Sequence, residues 1–211
     1  MPVIQLVNES QIPKQDMDTI YAAVSDFTAM VAKAWNIPNV TVNSVNGDWL
    51  ICITTRNRHP MALGYHTVEN GQPIAYIDPL KSPHHFGRYV APKFLKGLKK
   101  YLPTVIQPGL VTVICHEIAE MLCDPFIQTV SAVDNQGRKW LVEVCDHVNG
   151  NYFILNKNGV DCVLPDVTTP SFYDPKGAAP YDLMNKASAP FTLTDRGYAY
   201  YKDDQGNLHQ I

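Results

Sequence analysis

The spacing of hydrophobic positions changes several times along the chain, and each change marks an element. Between residues 14 and 35, Ile20, Val24, Phe27 and Val31 recur at intervals of three and four, which predicts a helix that Pro38 ends. The next apolar stretches are short and rich in β-branched residues. Residues 39–45 and 48–55 flank Asn46-Gly47 and predict a hairpin. Residues 61–68 and 72–78 flank Glu69-Asn70-Gly71 and predict a second strand pair. Residues 79–103 read as a loop carrying a short surface helix, and 108–123 as a long helix, with Pro108 in its first turn and Asp124-Pro125 as its stop. Beyond Pro125, residues 138–148 alternate like a strand, and 151–165 predict a hairpin around Lys157-Asn158-Gly159. After Pro165 periodicity fades into Pro, Gly, Asp and Tyr, and a last strand pair lies in 197–211. The expected class is α+β. Residues 1–124 would form a helix and sheet lobe ending in the second long helix. Residues 125–211 would form a smaller β and irregular lobe that closes a cleft, the two making one compact unit.

Composition adds few constraints. The chain has 211 residues, 45% of them apolar, enough for an ordered core. A net charge of −3, with no basic run beyond Lys93, Lys96, Lys99 and Lys100, argues against nucleic-acid and membrane partners. Five cysteines without a C-x-x-C pair read as free buried thiols of a reducing compartment. No secretory signal and no membrane-length apolar run is visible, which points to synthesis in a cytoplasm.

The chemistry concentrates in the second long helix, at Cys115-His116-Glu117-Ile118-Ala119-Glu120. Residues four apart project from one helix face, so His116 and Glu120 can share a cation while Ile114, Ile118 and Leu122 pack elsewhere. This H-E-x-x-E layout is that of a zinc-peptidase helix with a carboxylate in place of the second histidine. Glu117, next to the first ligand, would serve as general base for a zinc-bound water. A catalytic zinc takes three protein ligands. The third is expected from the carboxylates of 141–148: Glu143 is favoured, as a strand residue sharing the inward face with Cys145, and Asp146 is its rival or a partner of His116. Tyr152 and His147 are candidate donors to a developing oxyanion. The strand 72–78, containing Pro73, is the candidate edge on which a peptide would lie. His66 reads as a strand histidine with a partner, and His84-His85 as loop residues.

The stretches 62–77, 115–125, 142–148, 160–175 and 189–201 together resemble a family of tailed-phage and prophage proteins with zincin-like metallopeptidase features. That resemblance implies a zincin-like fold with a mixed sheet, an edge strand and a metal-site helix. It implies Zn2+ held by His116, Glu120 and a carboxylate from 143–146. It also implies peptide or protein substrates, or virion partners, and a place in the host cytoplasm or the virion. Glu120, where the commoner pattern has histidine, leaves open a structural protein that keeps the fold without catalysis.

Overall fold

The computed structural model describes residues 2–38, 40–43, 45–56, 59, 61–82, 84–90 and 105–211. In chain order these form β1 (Val3–Asn8), α1 (Lys14–Ala34), β2 (Thr41–Asn43), β3 (Trp49–Ile53), β4 (Gly64–Glu69), β5 (Gln72–Ile77), β6 (Arg88–Val90), β7 (Val105–Gln107) and α2 (Leu110–Cys123). There follow β8 (Val130–Val133), β9 (Lys139–Leu141), β10 (Tyr152–Lys157), β11 (Val160–Pro165), β12 (Tyr200–Lys202) and β13 (Leu208–Gln210), with 3-10 turns at Asp146–Val148 and Pro170–Tyr173. The class is α+β. The surface helix expected within 79–103 falls largely on 91–104, outside the described residues.

The central sheet has the order β2-β1-β3-β5-β4; β1, β2, β3 and β5 run parallel, and β4 pairs antiparallel with β5. Two of the three Asn-Gly pairs expected to turn a hairpin do so. Asn70-Gly71 and Asn158-Gly159 all adopt positive φ, matching the right-handed twist of the strands they join. The third does not, and the hairpin expected across 39–55 is corrected: β1 lies between β2 and β3, parallel to both. Gly47 lies against β1 there, and a Cβ on it would come within 2.4 Å of the Gln5 Cβ. The expected edge strand is also corrected. β5 is flanked by β3 and β4, and β4 is one edge of this sheet, with β2 the other. Pro73 fits because the β3–β5 ladder begins at Ile74.

One core runs through both parts of the chain, from Ile4 and Phe27 through Ile114 and Ile118 to Trp140, Leu164 and Phe172. Helix α1 contributes Ile20, Val24, Phe27 and Val31, all with no exposed surface. Each such side chain stabilises the fold by about 1.5–3 kcal/mol. Helix α2 packs against α1, β4, β5 and β11, and of its residues only His116 and Cys123 are not fully buried. It begins without a side-chain cap. The Leu110 and Val111 N–H groups donate to the His84 and His85 carbonyls, and Thr112 accepts from Gly109 N–H while donating to the Val163 carbonyl. Asp124 ends the helix as expected, its carboxylate accepting from Gln128 and Thr129.

Candidate metal centre

Because α2 is buried nearly all round, its acidic residues are more desolvated than a helix with one solvent face would leave them. Glu117 is 5% exposed and Glu120 3%. His116 lies one turn from Glu120, and its Nε2 is 3.2 Å from Glu120 Oε1. The third group comes from the segment after β9. The strand expected over 138–148 stops at Leu141, and after irregular backbone at 142–143 residues 144–150 form turns, so the alternation that favoured Glu143 does not operate. The turn carries Asp146 toward the helix, with Oδ1 3.3 Å from His116 Nε2. Glu143 stands beside the same group without an ion pair to it among the described residues. Burial, then the charge of Glu120, pushes its carboxyl up to about 8.

Two carboxylate oxygens therefore flank the His116 imidazole. Glu120 Oε1 and Asp146 Oδ1 are buried and face that ring, and neither has a hydrogen bond of good geometry among the described residues. Leaving buried charged acceptors unsatisfied costs several kcal/mol, and a cation relieves that cost. The His116–Glu120 and His116–Asp146 spacings suit one, since a tetrahedral site with bonds of about 2.0–2.1 Å sets neighbouring ligand atoms about 3.3 Å apart. His116, Glu120 and the Cys145 thiol form one group of ligand atoms within 4.8 Å of one another, and His66, Glu117 and Glu120 form another; Asp146 belongs to neither. The donor chemistry of the cluster thus fits a divalent cation. Burial opposes charge on His116, but Glu120 and Asp146 outweigh it and hold the imidazole well above its ordinary range. Burial raises Glu120.

A cleft of about 260 Å³ opens over this cluster, lined by Gly64, His116, Glu117, Tyr152 and Tyr198 among others. Gly64 begins the edge strand β4, and a Cβ there would sit 2.9 Å from Glu117 Oε1, so this glycine makes room for the carboxylate at the cleft. Tyr152, expected as a donor, is half-buried on the cleft wall. His147 is not in the cleft. It has no exposed surface, bonds the Tyr173 hydroxyl at 2.8 Å and packs among Trp140, Phe172 and Tyr173. Burial holds its imidazole down at about 4, so it is a neutral core residue.

Two contributors were not legible as site residues. His66 has the expected partners, but they are the site's own acids: its Nδ1 is 3.3 Å from Glu117 Oε2 and 3.6 Å from Glu120 Oε2. Burial opposes its charge, yet the Glu117 bond and the charges of Glu120, Glu117 and Glu143 raise it to about 9. Tyr198 returns from the irregular C-terminal stretch. Its N–H donates to the Asp146 carbonyl, and its hydroxyl, raised by burial and by the Asp146 charge, faces the cleft. His85, by contrast, pairs with Asp16 at 2.7 Å, away from the cluster. Comparison with protein-family models, curated proteins and solved structures yields no match. No described helix is long and apolar enough to cross a membrane.

Proposed function

We propose that the protein is a zincin-like metallopeptidase that hydrolyses peptide bonds with a divalent cation, Zn2+ by donor type, held by His116, Glu120 and Asp146. One observation carries this reading: two buried carboxylate oxygens face one imidazole nitrogen at 3.2 and 3.3 Å, with no hydrogen bond of good geometry to either among the described residues. When bound, such a cation supplies Lewis acidity, polarising a carbonyl and acidifying a water. Glu117 is the proton carrier, taking a proton at Oε1 on the cleft side and returning it to the leaving amine. His66 orients Glu117 through Oε2. The substrate adds to the edge strand β4 in extended form, its backbone pairing beside Gly64. Tyr198 and Tyr152, both on the cleft wall, are the hydroxyl donors for the developing oxyanion.

The test is Glu117→Gln, which keeps the shape of the side chain and removes the base. Peptidase activity on an unstructured protein substrate should fall about 10²–10⁴-fold while the cation held by His116 and Glu120 is retained. Wild type and variant cleaving alike would refute a hydrolytic role for this site. Cation retained with no cleavage by either would favour a virion component that keeps the fold.

A further inference from the structure

Glu120 presents its two oxygens to two different imidazoles. Oε1 faces His116 Nε2 at 3.2 Å, and Oε2 faces His66 Nδ1 at 3.6 Å. His66 Nδ1 is in turn 3.3 Å from Glu117 Oε2. The side chains of His66, Glu117 and Glu120 are 7%, 6% and 4% exposed. A second set of donor atoms, from His66, Glu117 and Glu120, thus lies within 4.8 Å of one another, next to the first set and sharing a carboxylate with it. The His66 Nε2 atom is buried and meets no hydrogen-bond partner, so β4 holds an imidazole in an anionic pocket with half its polar valence unused.

Four acidic side chains, Glu117, Glu120, Glu143 and Asp146, crowd around the two imidazoles of His66 and His116.

We propose that the protein holds a second divalent cation between His66 Nδ1, Glu117 Oε2 and Glu120 Oε2, with the Glu120 carboxylate bridging it to the first. The proposal rests on the first site described above. Carboxylate-bridged pairs of this kind stand about 3.5–4 Å apart, and a mixed nitrogen and oxygen donor set suits Zn2+, Co2+ or Mn2+. Glu117 keeps Oε1 on the cleft side, beside Gly64, for proton transfer. The second cation then fixes the general base through its other oxygen.

The experiment counts zinc on the full chain after stripping with chelator, loading with excess Zn2+ and desalting. Two zinc ions per chain are expected for wild type, one for His66→Ala and one for His116→Ala. One zinc in wild type, unchanged in His66→Ala and lost in His116→Ala, overturns the second site and leaves the first standing. No zinc in wild type overturns both. Wild type loaded with two equivalents of Mn2+ gives a reading by electron paramagnetic resonance that does not depend on the folding of His66→Ala. A spin-coupled pair supports the shared carboxylate, and isolated Mn2+ signals overturn it.

Discussion

Asp166 and Asp182 fasten the last part of the chain to the cleft wall, and they do so with a buried proton. Asp182 has no exposed surface, and its carboxylate accepts the N–H groups of Met184, Lys186 and Ala187 at 2.6–2.9 Å. Asp166 is 1% exposed, and its Oδ1 accepts from Val167 and Met184. Burial, then the bond to Asp182 and its charge, pushes Asp166 up to about 8. An unfolded aspartate titrates near about 3.9. Between those values the native state holds a proton that the unfolded chain releases, so stability falls as pH rises through the window from about 4 to about 8. At about 1.4 kcal/mol per pH unit, the full shift corresponds to about 5 kcal/mol, and loop relaxation with water entry reduces the realised loss to about 2–3 kcal/mol. Asp166→Asn supplies a permanent N–H donor toward Asp182 and removes the titration. Denaturant unfolding at about pH 5 and pH 8.5 checks the difference. The two chains should match within about 1 kcal/mol at the lower pH. The variant should be about 2–3 kcal/mol more stable at the higher pH. Stabilities that run parallel across this range would refute a shared proton at this pair.

Three further outcomes follow from the same geometry. Gly64→Ala places a methyl group 2.8 Å from Val113 Cγ1 and 2.9 Å from Glu117 Oε1, so it should cost about 1–3 kcal/mol in unfolding and depress any Glu117-dependent activity. Asp134 accepts from Trp140 Nε1, Arg138 Nε and the N–H groups of Gln136 and Arg138; Asp134→Ala should therefore cost about 2–4 kcal/mol in denaturant unfolding and loosen β8 and β9. Zinc at about a hundred times the dissociation constant of the His116 site should stabilise wild type by about 2.7 kcal/mol more than it stabilises His116→Ala, a Tm gain larger by about 5–10 °C in a thermal scan.

The local features of this fold were legible where the physics is local. Asn70-Gly71 and Asn158-Gly159 encode hairpins through their own φ preferences, and the spacing of Ile20, Val24, Phe27 and Val31 encodes the buried face of α1. His116, Glu117 and Glu120 were legible because helix periodicity alone brings them together. What was not legible depends on distant pairing. No local pattern says that β1, six residues long, enters between β2 and β3, or that β4 rather than β5 forms the edge. The placement of Glu143 and Asp146 was not legible for a related reason. Glu143 and Cys145 alternate as a strand would, but the chain leaves the sheet at Leu141, and a turn sets Asp146 against His116. Tyr198 lies 52 residues beyond Asp146 in a stretch without periodicity, and only the backbone bond between them reveals its place.

Anomalous diffraction at the zinc edge, from crystals of the full chain grown with excess Zn2+, tests the central claim most directly. A peak about 2.0–2.2 Å from His116 Nε2, Glu120 Oε1 and Asp146 Oδ1 together is the expected result. No peak among those three atoms, or zinc bound only at surface histidines, would contradict it.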